Sequence, residues 1–153
     1  MIVEKIISGA QTGVDRAGLD FAIEYGIEHG GYCPKGRKAE DGRIPDKYTL
    51  IETASSGYSK RTEKNLTEAD GTLILYIGKI TGGTLLTANL CKNKNKPFFI
   101  RDLDNLNKND VKIKFNQWLK ENNIKVLNIA GSRESKSPIY KKAKEFLKLL
   151  FGV

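Results

Sequence analysis

The sequence predicts a mainly parallel α/β protein of three layers, Rossmann-like, with helices on both faces of the sheet. Three observations carry that prediction. Short apolar segments alternate with amphipathic stretches of helical period along the whole chain. Glycine-containing turns stand where a strand passes into a helix. The segment Thr72 to Ile77 is continuously apolar, as befits a strand covered on both faces.

Ile2 to Ile7 reads as the first strand, and Ser8-Gly9-Ala10-Gln11-Thr12-Gly13 as the turn that follows it. Val14, Ala17, Gly18, Phe21, Ala22 and Tyr25 then recur at spacings of three and four, which makes one apolar helix face ending at Gly26. Gly30 to Cys33 is expected as a second strand, and Pro34 to Asp46, rich in prolines, glycines and charges, as a surface loop. Ser59 to Ala69 suits a polar helix leading into the central strand Gly71 to Ile77. Thr81-Gly82-Gly83-Thr84 opens a helix through Cys91, and Pro97 precedes a strand at Phe98-Phe99-Ile100. Val111, Phe115, Trp118 and Leu119 mark the next helix, Val126 to Ala130 the last strand, and Ile139, Ala143, Phe146, Leu147 and Leu150 a closing helix. Strands alternating with helices in this way connect by right-handed crossovers, and ligands bind outside the carboxyl ends of such strands.

With 153 residues the chain has the usual size of one domain, so residues 1–153 are expected to form a single ligand-binding domain. Composition is 39% hydrophobic and 29% charged, and no apolar run approaches the roughly 20 residues that span a bilayer. Without a basic leader or long apolar N-terminal stretch, the expected location is cytoplasmic. Cys33 and Cys91 stand far apart, in no metal or redox spacing. The charge of +8 favours anionic partners, small phosphorylated ligands and nucleic acid alike. Nucleic acid ranks last, because no aromatic cluster accompanies the lysines.

Three loops are candidates for an anion site. Gly9, Ala10, Gln11, Thr12 and Gly13, with Asp15 and Arg16 just inside the helix, would set free N–H groups and the helix dipole against an anion. A plain helix cap explains the same turn equally well. The loop holds neither GxGxxG nor a P-loop ending. Gly82, Gly83 and Thr84 repeat this chemistry after another strand. Arg133, with Ser132 and Ser135, offers a charge-assisted contact, against the alternative of a surface neighbour for Glu134 and a serine cap on the closing helix. Arg61 and Asn65 share a helix face, which is either a ligand face or a solvated one. Lys35, Gly36, Arg37 and Lys38 form a basic loop that either reads the far part of a nucleotide-like ligand or serves solubility.

Catalytic machinery is sparse. His29, the sole histidine, is expected at the surface in the turn after the first helix, and no metal-ligand spacing occurs. Asp15, Glu63 and Asp70 lie near the loops, but no spacing joins two of them. Neither a catalytic residue nor a metal site is therefore assigned.

Taken together, the segments from Ser8 to Ala17, Cys33 to Gly42, Tyr58 to Asn65, Asp70 to Ile74, Gly82 to Thr84 and Arg133 to Ser135 resemble the molybdenum carrier family over nearly the whole chain. That family is similar in fold to lysine decarboxylase-like phosphoribohydrolases and several nucleotide sensors. The resemblance implies a non-catalytic carrier of molybdenum cofactor (molybdopterin) or of molybdate, with a molybdoenzyme as acceptor. It also implies that the loops above, with Lys35, Gly36, Arg37, Arg61, Asn65 and Arg133, hold the ligand. The last motif departs from the family pattern at Ser132, in place of a proline, and at Pro138-Ile139-Tyr140, which lacks a glycine. The alternative is a nucleotide-binding or phosphoribohydrolase-like enzyme. The related hydrolases end their glycine-rich segment in a catalytic glutamate, and none stands between Thr81 and Asn89. Apolar positions on the last two helices suggest a homo-oligomer.

Overall fold

The computed structural model describes residues 2–153. Its main sheet has five strands, all parallel: β1 (Lys5–Ile7), β2 (Glu28–Gly30), β7 (Gly71–Tyr76), β8 (Phe98–Asp102) and β9 (Val126–Gly131), in the spatial order β2-β1-β9-β7-β8. The last strand of the chain therefore lies at the centre. Counted from β9, as if the chain were closed into a circle, the order is 3-2-1-4-5, the doubly wound arrangement.

Helices α1 (Val14–Glu24), α4 (Val111–Glu121) and α5 (Tyr140–Phe151) cover one face of the sheet. Side chains alternate across a strand, so Leu73, Leu75, Leu127 and Ile129 all point to that face, where they meet Phe21, Phe115 and Leu147 in the main apolar core. The other face carries α2 (Tyr58–Glu68) and α3 (Gly82–Asn93). There the same strands turn Thr72 and Asn128 inward, and Asn128 Nδ2 donates to Thr72 Oγ1 at 3.3 Å. One face of the sheet is thus oily and the other carries hydrogen-bonding groups.

The fold class agrees with the sequence reading, and two local expectations change. The expected strand Gly30 to Cys33 is divided at Gly31. Residues Glu28–Gly30 stay in the main sheet, whereas β3 (Tyr32–Cys33) leaves it to pair with β6 (Ile51–Glu52) in a separate parallel pair. Gly31 has φ of +130°, and a Cβ there would lie 2.1 Å from the Ser8 carbonyl oxygen, so only glycine lets the chain swerve this close to the end of β1. His29 accordingly sits in β2 rather than in a turn, and its Nε2 accepts the Thr49 N–H at 3.1 Å.

The segment expected as a surface loop after Cys33 contains a hairpin, β4 (Lys38–Ala39) with β5 (Gly42–Arg43). Ala39, Ile44 and Tyr48 bury a second apolar cluster with Ala10, Leu19 and Cys33. Its charges masked this small core in the sequence. Both cysteines are buried free thiols, and no helix among the described residues is long and apolar enough to cross a membrane.

Gly131 shows how tightly the centre is built. A Cβ there would stand 1.9 Å from the Leu75 carbonyl oxygen of the neighbouring strand. Gly131→Ala is expected to lower stability by about 1–3 kcal/mol, read as a lower urea midpoint.

Candidate functional site

Because β9 lies between β1 and β7, the loops at the carboxyl ends of these three strands are neighbours at the point where the strand order reverses. Close backbone contacts stitch them together. Val14 N–H donates to the Ser132 carbonyl at 3.2 Å, and Ser132 N–H to the Leu75 carbonyl at 3.1 Å. Gly13, at φ +82°, allows the first contact, since a Cβ there would meet Ser132 O at 2.4 Å.

The β1–α1 loop is held from within. Ser8 Oγ donates to the Asp15 carbonyl at 2.9 Å and accepts the Ala10 N–H at 3.1 Å, while Ala10 takes the left-handed conformation at φ 61°. Arg61 reaches over this loop from α2. Its guanidinium donates to the Gly9 carbonyl at 2.9 Å and lies 3.5 Å from Asp15 Oδ2. A Cβ on Gly9 would stand 2.1 Å from Arg61 Cδ, so the glycine makes room for the arginine.

Arg61 and Asp15 are both buried, at 6% and 7% exposure. Burial pushes the Asp15 carboxyl up to about 6, and Arg61, the Gln11 N–H, Arg16 and Arg133 only partly oppose it. Burial likewise lowers the Arg61 guanidinium, with Asp15 opposing.

Gln11 is the least satisfied group. Its Oε1 accepts the N–H groups of Thr12 at 3.1 Å and Glu40 at 2.9 Å, which fixes the orientation of the amide. Nε2 is left buried with no hydrogen-bond partner, the one such side-chain atom among the described residues. A buried donor of this kind calls for an acceptor.

Gln11 and Asp15 line a cleft together with Arg61, Asn65, Gly83, Thr84, Arg133 and Lys136. It encloses a cavity of about 60 Å³, several times the roughly 10–15 Å³ that a single water requires. The first turn of α3 begins at this cleft, so its unpaired N–H groups and positive dipole end add to the cationic groups. Lys136 Nζ donates to Thr81 Oγ1 at 3.1 Å across the mouth. Arg133 is one-third exposed, packs on the Tyr58 ring at 5.3 Å and lies 3.7 Å from Glu40.

Of the residues singled out from sequence, Gly9, Gln11, Asp15, Arg61, Asn65, Thr81, Gly83, Thr84, Ser132 and Arg133 therefore come together in the cleft. Arg61 and Asn65 are a buried face, not a solvated one, and Asn65 exchanges two 2.9 Å bonds with the Tyr32 backbone. The others stand outside the lining. Ala10 and Gly13 shape the loop, and Gly82, at φ +54°, shapes the start of α3. Thr12 Oγ1 donates to Glu40, while Arg16 donates to the Ala10 carbonyl and forms a two-point pair with Asp41.

The basic loop changes meaning. Lys35 and Gly36 are exposed beyond the cleft, with Gly36 N–H donating to Glu52. Arg37 is buried, and its guanidinium donates to the carbonyls of Ile44, Pro45 and Tyr48, so it holds the hairpin rather than facing a ligand. Ser135 does not cap the closing helix. It donates to Glu40, whereas Glu134 Oε1 accepts the Ile139 and Tyr140 N–H groups at 2.9 Å each. Glu63 and Asp70 lie outside the cleft, and Asp70 binds the Lys125 and Val126 N–H groups at the opposite end of β9.

Thr62, Thr87, Asn128 and Lys136 line the cleft and escaped the sequence reading. Asn128 did leave a signal, as an amide in an otherwise apolar strand.

A doubly wound sheet with a donor-rich cleft at its reversal point defines a protein of the Rossmann-like class, in which that point is where ligands bind. The chain belongs to the circularly permutated YpsA SLOG family, whose model matches residues 6–151. Its strand order has the sense of that description, with the strand that starts the doubly wound series moved to the end of the chain. The chain is also similar to the crystal structure of a "Putative molybdenum carrier protein" from Syntrophus aciditrophicus SB. The two share 47% identity with a TM-score of 0.94, over 97% of this chain and 95% of that one. The family resemblance read from the sequence agrees with this relative. No curated protein matches the chain.

The Asp15 carboxyl makes a testable imprint on stability. It titrates near 3.8 when free and near 6 when folded, so between these values the folded chain keeps a proton that the unfolded chain has lost. Stability is greatest below that window and falls as pH rises through it, by an amount on the order of 3 kcal/mol. In urea titrations at pH 4 and pH 7, Asp15→Asn is expected to gain about that much on the wild type between the two conditions.

Proposed function

We propose that the chain is a non-catalytic binding and carrier protein for molybdenum cofactor, or for a molybdate-type oxyanion, held at the carboxyl ends of β1, β7 and β9. The observation that carries this reading is the unpartnered Gln11 Nε2 in a cleft where Arg61, Arg133, Lys136 and the start of α3 converge. Molybdopterin carries a phosphate, and the cleft offers donors suited to anionic oxygens. The relative with 47% identity bears a carrier name, which supports the same cargo class. In this reading residues 1–153 act as one domain in the cytoplasm and hand their cargo to a molybdoenzyme. Exposed Ile113 and Leu149 on α4 and α5 supply apolar contacts for a homo-oligomer.

The second reading is an enzyme related to the phosphoribohydrolases, acting on a nucleoside monophosphate. Asp15 favours it, because a buried carboxyl titrating near 6 is suited to proton transfer. Against it, Asp15 is the sole carboxylate lining the cleft among the described residues.

Anaerobic purification, with mass spectrometry and metal analysis of what co-purifies, is expected to find pterin and molybdenum. Tight AMP binding without binding of cofactor or oxyanion would overturn the carrier reading. Arg133→Ala is expected to weaken an anionic ligand by about 1.5–3 kcal/mol in calorimetric titration. Unchanged affinity would remove Arg133 from the site.

A further inference from the structure

The cleft that attracts anions also contains an anion of its own, and this limits what it accepts. The following rests on the reading of the cleft as an anion site. Gln11 and Asp15 are neighbours on its lining, joined by the Gln11 N–H that donates to Asp15 Oδ2 at 3.2 Å. Gln11 Nε2 is an obligate donor, because Oε1 is occupied by two N–H groups, and Gln11 as a whole is 5% exposed. Asp15 Oδ2 is engaged by Gln11 and Arg61, whereas no donor among the described residues reaches Oδ1. An entering oxyanion therefore meets donors and one carboxylate.

We propose that Asp15 makes the cleft selective for oxyanions that bring an acidic hydrogen, such as hydrogen phosphate or a singly protonated phosphate monoester, over fully ionised ones such as sulfate. A protonated oxyanion donates its hydrogen to Asp15 and accepts from Gln11. A fully ionised one sets lone pairs against the carboxylate, and buried unmatched acceptors are strongly disfavoured. The complex holds one proton between Asp15 and the ligand oxygen. Hydrogen phosphate supplies that proton itself, whereas for sulfate it must be taken from solvent onto Asp15.

The charged groups facing Asp15 are Arg61 from α2, Arg16 from its own helix and Arg133 from the β9–α5 loop, and α3 adds hydroxyl and N–H groups without a charged side chain. Burial outweighs the three arginines and holds the carboxyl near 6. Above that pH the uptake of a solvent proton becomes about tenfold less favourable per pH unit. The same argument disfavours bare molybdate, fully ionised at neutral pH, and admits the phosphate of a monoester in its singly protonated form, whose ionisation lies at about 6.

The test is calorimetric titration of the full chain with inorganic phosphate and with sodium sulfate at pH 7.5 and 5.5. Phosphate is expected to bind at least about tenfold tighter than sulfate at pH 7.5, with a narrower gap at pH 5.5. Asp15→Asn, whose amide can donate, is expected to raise sulfate affinity and close the gap. In the wild type, sulfate binding at pH 7.5 is expected to take up about one proton per site, measured in buffers of different ionisation enthalpy. This arm does not depend on the variant folding. Equal affinity for both anions, a gap unchanged in Asp15→Asn, or no proton uptake with sulfate would overturn the selectivity and leave the anion site standing. Binding of neither anion by the folded wild type would overturn both.

Discussion

The position of β9 between β1 and β7 is the constraint on which the rest of the structure depends. A chain whose last strand is its central one brings the first, middle and final loops to one place. The packing there leaves no slack, since side chains at Gly131 and Gly13 would collide with the Leu75 and Ser132 carbonyls. These glycines let backbone lie against backbone, and the short loops then have few other courses. The cleft is a consequence of topology before it is a consequence of any side chain.

Charge is arranged within that frame by differences in burial. Arg61 and Asp15 are buried where α2 meets the β1–α1 loop, while Arg133 and Lys136 stay at the rim with access to solvent. The buried pair falls short of full compensation, because the nitrogen of Arg61 that is 2.9 Å from the Gly9 carbonyl is 3.5 Å from Asp15. Burial, which this loose pair only partly offsets, is why the Asp15 carboxyl titrates so high. The polar face of the sheet continues this chemistry through Asn128 and Thr72, opposite an apolar face that supplies the cohesion.

The β4–β5 hairpin acts as a brace for the same site. Glu40 accepts from Thr12, from the N–H and hydroxyl of Ser135, and lies near Arg133, while its own N–H holds Gln11. Burial works to raise the Glu40 carboxyl, but these bonds keep it below the ordinary carboxylate range. Arg37 secures the far side of the brace by donating to three carbonyls. A segment with the composition of a solvated loop thereby sets which end of the Gln11 amide faces the cavity.

The periodicities of the sequence were enough to determine the α/β class, the alternation of strands and helices, and two of the glycine turns, because those are properties of neighbouring residues. The motif blocks led to the right family for the same reason, since they are local spacings. Arg61, Asn65 and Asp15 were legible as candidates, but whether they faced ligand, core or solvent was not. Tertiary structure alone decided that Arg37 turns to carbonyls, that Ser135 serves Glu40, that Gly31 breaks a strand in two, and that Lys136 and Asn128 join the cleft. Each depends on contacts between segments far apart in the chain, many of them through backbone groups common to every residue, and such contacts leave no pattern in the order of side chains.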